Sequence, residues 1–330
     1  MSAVVPIPAD LKKRYGTTAV RRAWLESLPG VVDASLRRWE LTVDLPEGRE
    51  PWNGYSGIVV PVLTPLGSRA VLKVAFPYDE SLLEPAALRL WNGRGAVRLL
   101  ASDEASCSAL LERLDDGRSL ISAPMDTAVE VWGTLLRKLS IAPDGRPEWS
   151  ALPRIADTAE IWSDDLPTRW EDLGRPFSRW MLEAALEVCQ TRGAVSRRSS
   201  RDVLVHTDLH YMNILGRPGR TDYAAIDPQP SVGEAEFAVA PCLWNRIGDL
   251  SRTDPAVALR ERCAQLCEAA GLDAEVAVQW SIAREVENAL WYFAKPDHEG
   301  DAQRSLWVAS TLAGKTLAGL PQAHALKVLT

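Results

Sequence analysis

The chain has 330 residues, 46% hydrophobic and 25% charged, which is enough apolar material for one large domain or two lobes. The net charge of −7 disfavours a nucleic-acid partner, because phosphate backbones require a basic surface, and it mildly favours a cationic ligand. No apolar stretch is long enough to span a bilayer, no signal peptide is expected, and the odd number of cysteines disfavours a disulfide framework. The composition therefore predicts a cytoplasmic protein without a membrane partner.

The N-terminal part of the sequence predicts a helix followed by a hairpin of strands. Apolar spacing indicates a helix over Ala9–Ser27, and alternation from Trp39 to Leu45 indicates a strand. Ile58–Leu63 and Ala70–Ala75 are further strands, joined by a turn at Gly67. This pattern predicts a β-rich N-terminal region.

Two polar features accompany the hairpin. The stretch N-G-Y-S-G contains Gly54 and Gly57, and such a loop can lay backbone N–H groups over phosphates, although an ordinary hairpin turn fits equally well. Lys73 is the one charge inside its strand, which a solvated strand face would also explain. The next predicted helix is Glu80–Trp91.

The rest of the chain is mostly helical in pattern. Strands are predicted at Val97–Ala101 and Ala109–Leu114. Helices are then predicted at Val129–Leu139, Arg154–Leu166, Ser178–Arg192, near Glu234–Arg246, and at Pro255–Ala270, Ala274–Phe293 and Ala302–Leu317. A small β-rich region thus precedes a larger helical one.

One stretch carries the clearest chemistry. The apolar run Val203–Val205 predicts a buried strand, and polar residues follow it, among them Asp208 and Asn213 with the spacing D-x-x-x-x-N. A second short strand, Tyr223–Ile226, ends at Asp227. One carboxylate can accept a proton from a hydroxyl nucleophile, while an amide oxygen and a second carboxylate suit Mg²⁺. Kinase catalytic loops use this combination.

The sequence H-x-D-L-H-x-x-N-I-L followed by I-D-P resembles the aminoglycoside phosphotransferase superfamily. The segment V-G-E-A-E-F-A-V-A-P-C-L-W-N-R resembles the superfamily's branch of streptomycin 6-phosphotransferases and hydroxyurea phosphotransferases. The resemblance extends from about Leu41 to Phe293. It implies an α+β, two-lobed, protein-kinase-like fold. We expect a nucleotide-binding lobe at 1–114 and a catalytic and acceptor-binding lobe at 115–330.

The resemblance also implies roles for individual residues and ATP and Mg²⁺ as cofactors. Asp208 is expected to be the catalytic base, with Asn213 and Asp227 as metal ligands. Lys73 is expected to contact the phosphates and to pair with Glu84. Backbone groups are expected to bind the nucleotide at Gly54, Ser56, Gly57, Glu112 and Leu114.

Three positions depart from the expected pattern. The triplet I-D-P replaces D-F-G, which suits small-molecule kinases better than protein kinases. Ala238 stands where many relatives carry an aspartate that anchors the catalytic loop, so the support of that loop is in question. Pro85 is expected to be tolerated only if its helix begins near Glu84, since proline fits a first helical turn.

The sequence identifies the acceptor site less clearly. In the predicted helix Ala274–Phe293, Trp280 and Glu287 share a face that suits an amino or guanidino group, while a second layer of core with a surface ion pair fits equally well. Glu234 and Glu236 are further candidates. His206 is expected to organise the catalytic loop.

The sequence thus favours ATP-dependent phosphorylation of a hydroxyl on a cationic small molecule, most simply an aminoglycoside such as streptomycin. A kinase of hydroxyurea or another small metabolite is the alternative within the superfamily. A nucleotide-binding protein without turnover is the alternative from another class. Monomer and homodimer are both open.

Overall fold

The computed structural model describes residues 5–193 and 201–328. The chain forms two compact units, one made of Met1–Gly117 and Leu215–Gln229, the other of Arg118–Ile214 and Pro230–Thr330. The segment Leu215–Gln229, which the sequence analysis assigned to the second lobe, therefore groups with the first unit. The functional lobe boundary at residue 114 stays a prediction.

The first unit is built on a six-stranded antiparallel sheet of order β1-β3-β4-β6-β5, with β2 beside β3. A smaller sheet has the order β10-β9-β7. The strands of these two sheets are β1 Thr42–Val43, β2 Trp52–Asn53, β3 Gly57–Leu63, β4 Arg69–Ala75, β5 Leu99–Asp103, β6 Ser108–Glu112, β7 Asp115–Ser119, β9 Ile214–Gly216 and β10 Tyr223–Ala225. Two further strands, β8 Val203–His206 and β11 Pro230–Gly233, belong to the second unit.

Two N-terminal helices cover one face of the large sheet. Helices α1 (Ala9–Tyr15) and α2 (Ala19–Arg38) share a core with apolar residues of β3 and β4. The single helix expected over Ala9–Ser27 is wrong in its bounds. The chain breaks after Tyr15, and the Thr18 hydroxyl starts a new helix by accepting a hydrogen bond from Arg21 N at 3.3 Å.

Helix α3 (Asp79–Trp91) contradicts the expectation about Pro85. The helix begins at Asp79, so Pro85 lies inside it instead of in its first turn. Proline there removes one backbone hydrogen bond. The helix continues regardless, with Ala87 and Leu88 fully buried, so tertiary packing outweighs the local propensity.

The second unit is helical around a short β8–β11 ladder, in which His206 lies opposite Pro230. Its helices are α4 Met125–Leu139, α5 Ile155–Asp172, α6 Arg179–Arg192, α7 Ala240–Trp244, α8 Pro255–Ala270, α9 Ala274–Phe293 and α10 Glu299–Leu312. The helix expected near Glu234–Arg246 is reduced to a 3₁₀ turn and α7.

Helix α9 is the centre of this unit because it packs against α6, α8 and α10. Among the helices that the structure describes, none combines the length and apolar character that crossing a membrane requires.

Candidate active site

A buried ion triad in the first unit joins three residues that the sequence analysis singled out. Lys73 Nζ donates to Glu84 Oε2 and to Asp227 Oδ1, each at 2.6 Å. Burial alone would lower the pKa of Lys73, but the charges of Asp227 and Glu84 outweigh it and raise that pKa above its ordinary value. Lys73 therefore carries a full positive charge.

The local structure explains how the triad assembles. Lys73 sits in the middle of β4, where only 6% of it is exposed, and α3 supplies Glu84, which is 5% exposed. Asp227 follows β10 with a φ of 51°, a left-handed conformation that is uncommon outside glycine. Its side chain is 42% exposed. One ammonium thus lies between two carboxyl groups. Burial raises the pKa of Glu84, and the accessible oxygens of the triad are those of Asp227.

The glycine loop, defined here as Asn53–Gly57, lies beside Asp227. A Cβ built on Gly54 would be 3.5 Å from Asp227 Oδ2. A Cβ on Gly57 would be 2.3 Å from Val74 O, so only glycine fits there. The carbonyl of Ser56 accepts a hydrogen bond from Phe76 N at 2.8 Å. The loop thus has a fixed base at Gly57, and Gly54 is its residue next to Asp227 of the triad.

The expected adenine-binding segment lies at the end of β6. Glu112 N donates to Arg98 O at 3.0 Å, and the Glu112 carboxylate accepts from Arg98 N and pairs with Arg217. Leu114 is buried. These contacts fix the segment, and its role toward adenine stays a prediction.

The catalytic loop belongs to the second unit, where β8 ends at His206. Asp208 N donates to His206 Nδ1 at 3.2 Å, as expected of a histidine that organises this loop. The Asn213 side-chain amide donates to Asp208 O at 2.9 Å and to Asp208 Oδ2 at 3.3 Å. The two residues that the spacing singled out are therefore in direct contact, and the Asp208 side chain is 28% exposed.

Two residues that the sequence analysis did not select hold the same loop. Trp132 Nε1 donates to Leu209 O at 2.9 Å, and Cys242 Sγ donates to the same carbonyl at 3.3 Å. Burial raises the pKa of Cys242, so it remains a thiol that can donate. The loop is therefore supported by Trp132 and Cys242, although Ala238 stands where an anchoring aspartate was expected. Trp132 and Cys242 stand in apolar helical patterns that predict core packing, so no sequence signal identified these contacts.

Each unit, taken by itself, presents an oxygen of the kind that a hard divalent cation accepts. Asn213, in the second unit, uses its NH₂ group toward Asp208, which leaves the carbonyl oxygen as its one acceptor atom. Asp227 offers a partly exposed carboxylate. Carboxylate and amide oxygens are the ligands that Mg²⁺ accepts.

The four acceptor-site candidates are engaged with the protein itself. Glu234 accepts from Trp280 Nε1 at 2.8 Å and pairs with Arg192 at 3.3 Å. Trp280 is 1% exposed, so this face of α9 is a second layer of core, which is the alternative that the sequence left open.

The other two carboxylates have arginine partners as well. Glu236 pairs with Arg201 at 2.8 Å, and Glu287 pairs with Arg169 at 3.0 Å. Arg284, on the same helix, donates to Phe237 O at 2.8 Å. Burial lowers the pKa of Arg284, while the charges of Glu285, Asp208 and Glu287 oppose that change.

The chain is similar to known kinases over most of its length. Residues 38–295 match the family model described as aminoglycoside/hydroxyurea antibiotic resistance kinase. A streptomycin 6-kinase of Streptomyces glaucescens is 36% identical over 289 residues, 87% of this chain and 89% of that protein. A hydroxyurea phosphotransferase of Kitasatospora aureofaciens is 36% identical over 329 residues, 96% of this chain and 88% of that protein.

Among solved structures, the chain resembles a ternary complex of the aminoglycoside phosphotransferase APH(4)-Ia with ADP and hygromycin B. The TM-score is 0.56 at 13% identity, over 86% of this chain and 96% of that one. At this identity the likeness shows the fold alone. The predicted α+β, kinase-like fold and the predicted family resemblance are both confirmed.

Proposed function

The chain belongs to the aminoglycoside/hydroxyurea antibiotic resistance kinase family, and on that premise we propose that it transfers the γ-phosphoryl group of ATP to a hydroxyl of an aminoglycoside such as streptomycin. The observation that carries the proposal is the triad, in which Lys73 Nζ lies 2.6 Å from both Glu84 and Asp227. Kinases use a strand lysine paired with a helix glutamate to hold nucleotide phosphates.

In this mechanism the triad binds the nucleotide phosphates. Glu84 keeps the Lys73 ammonium charged and in place, so that it can contact phosphate oxygens without reorganisation. Backbone N–H groups of the glycine loop add neutral donors to the same phosphates. Glu112 and Leu114 contribute backbone groups toward adenine.

Asn213 and Asp227 would hold Mg²⁺. The ion, when bound, neutralises charge that builds up on the phosphate oxygens. The contact between Asn213 and Asp208 O fixes the amide so that its carbonyl oxygen is presented as a ligand.

Asp208 acts on the acceptor. Its carboxylate takes the proton of the attacking hydroxyl as the new bond forms between that oxygen and the γ-phosphorus. The bond from the γ-phosphorus to the β,γ-bridging oxygen breaks, and ADP leaves with the electron pair. His206, Trp132 and Cys242 hold the loop that positions this carboxylate.

A neutral acceptor of the hydroxyurea type is the second candidate, and one observation favours it. Glu234, Glu236 and Glu287, the carboxylates expected to seat a cation, are each paired with an arginine. A cationic acceptor would have to displace one of these pairs or use other carboxylates.

A coupled assay of ADP release with streptomycin, hydroxyurea and other hydroxyl compounds tests the proposal. We expect transfer to streptomycin, with an acceptor KM that rises with ionic strength. The Debye length falls to about 3 Å at 1 M salt, so the attraction between a cationic acceptor and the protein is screened. Transfer only to neutral compounds would favour the second candidate. Nucleotide binding without transfer to any compound would indicate a non-catalytic protein.

A further inference from the structure

Helix α1 contacts the glycine loop directly. Arg14, in its last turn, donates through Nη1 to Gly54 O at 2.7 Å and to Tyr55 O at 3.2 Å. The Arg14 guanidinium also lies 5.1 Å from the centre of the Tyr55 ring. The next residue, Tyr15, donates its hydroxyl to Tyr55 O at 3.4 Å.

The base of this contact is rigid. Tyr15 is 5% exposed, and its ring packs against Trp24 and Phe76 with centroid distances of 4.7 and 5.3 Å. Phe76 N in turn donates to Ser56 O. Burial raises the pKa of Tyr15 to about 12, so its hydroxyl keeps the proton that it donates.

The contact sets the direction of the loop's donors. In a planar trans peptide the C=O and N–H groups point in opposite directions, and the described residues contain no cis peptide. Because Arg14 holds the carbonyls of Gly54 and Tyr55, the N–H groups of Tyr55 and Ser56 point away from Arg14. These are the donors that a phosphate would meet, beside the Asp227 carboxylate.

We propose that α1 is a positioning element for the nucleotide, with Arg14 fixing the glycine loop so that its N–H groups face the phosphates. This inference rests on the proposed function. A glycine-containing loop loses much conformational entropy when it is ordered. The hydrogen bonds from Arg14 order the loop before the nucleotide binds, so binding does not have to offset this loss. Arg14 and Tyr15 precede residue 38, at which the family-model match begins.

The test compares Arg14→Ala with Lys13→Ala, which removes an exposed cation from the same helix. We expect Arg14→Ala to raise KM for ATP and the Kd of the Mg²⁺ complex of a non-hydrolysable ATP analogue about ten-fold, the scale of a lost charged hydrogen bond. The kcat and the acceptor KM should stay within about two-fold, because a pre-positioned loop contributes equally to ground and transition states. Lys13→Ala should change none of these quantities.

Two further variants separate positioning from general stability. Arg14→Lys should recover part of the affinity, since an ammonium keeps the charge but cannot reproduce the planar guanidinium. Tyr15→Phe keeps the aromatic packing and should raise KM for ATP about two- to three-fold.

Three results would overturn the inference: unchanged nucleotide affinity in folded Arg14→Ala, an equal effect of Lys13→Ala, or a parallel rise of the acceptor KM. In each case the proposed function would stand if the wild type still transferred phosphate. A wild type that bound no nucleotide would overturn the function and the inference together.

Discussion

The two units arrange their buried charges differently. In the first, one cation, Lys73, lies between two carboxyl groups, of which Glu84 is buried and Asp227 is partly exposed. In the second, Glu234, Glu236 and Glu287 are each matched to one arginine. A carboxylate that stays partly exposed is accessible to a ligand, whereas a carboxylate matched to an arginine mainly fixes the packing of helices.

Asp208→Asn should have the largest effect. The amide keeps the shape and the hydrogen bond from Asn213 but cannot accept the hydroxyl proton, so phosphoryl transfer should fall about 10²- to 10⁴-fold. Binding of the Mg²⁺ complex of an ATP analogue should be retained. Rapid-quench measurement of transfer checks this, and a rate within a few-fold of wild type would remove Asp208 as the base.

Lys73→Ala breaks the triad of the first unit. We expect KM for ATP to rise about 10- to 100-fold, the value of a charged hydrogen bond to phosphate. Folding should survive, because the buried Glu84 carboxyl can take up a proton once its partner is lost. Arg69→Ala, an exposed cation on the same strand, is the control. Equal ATP kinetics in the two variants would exclude Lys73 from the site.

Glu285 is a fully buried carboxyl of the second unit, and its Oε1 accepts a hydrogen bond from Asn288 Nδ2 at 3.3 Å. The charges of Arg284 and Arg304 act to lower its pKa, but burial has the larger effect. Burial raises its pKa to about 7. A raised pKa means that the folded state binds the proton more tightly than the unfolded state. Its stabilising contribution is therefore present below about pH 4.5 and lost as pH rises through about 7.

Glu285→Gln should remove this pH dependence. The melting temperature of the variant relative to wild type should increase between pH 5 and pH 8, by the equivalent of at most about 3 kcal/mol. Thermal unfolding at several pH values measures the difference. A constant difference across that range would show that the Glu285 carboxyl is ionised throughout.

The contrast between the units also explains what sequence predicted well. Asp208, Asn213 and Asp227 stand at the spacings that kinase catalytic loops use on a strand–loop–strand frame. The Lys73–Glu84 pair appears in the structure as expected, and Asn213 also contacts Asp208. The kinase-like fold was predicted from the same residues.

The acceptor-site residues could not be judged from sequence, because neutralisation of a carboxylate depends on a partner distant in the chain. Arg192 reaches Glu234 across 42 positions and Arg169 reaches Glu287 across 118. For Trp280 the sequence left a ligand-binding aromatic and a second layer of core both open, and its burial in α9 favours the core. The same limit applies to Arg14, whose partners are backbone carbonyls and leave no residue pattern.

Glu287→Gln should have the smallest effect and decides whether the matched pairs of the second unit can also serve a ligand. The Arg169–Glu287 pair is 31% and 19% exposed, so its loss should lower stability by no more than about 1 kcal/mol. If the pair is purely structural, the KM for streptomycin should stay within about two-fold and its salt dependence should be unchanged. Arg169→Gln removes the other half of the pair and is the matched control. A KM for streptomycin that rises ten-fold in Glu287→Gln but falls in Arg169→Gln would instead show that a guanidinium of the acceptor competes with Arg169 for this carboxylate.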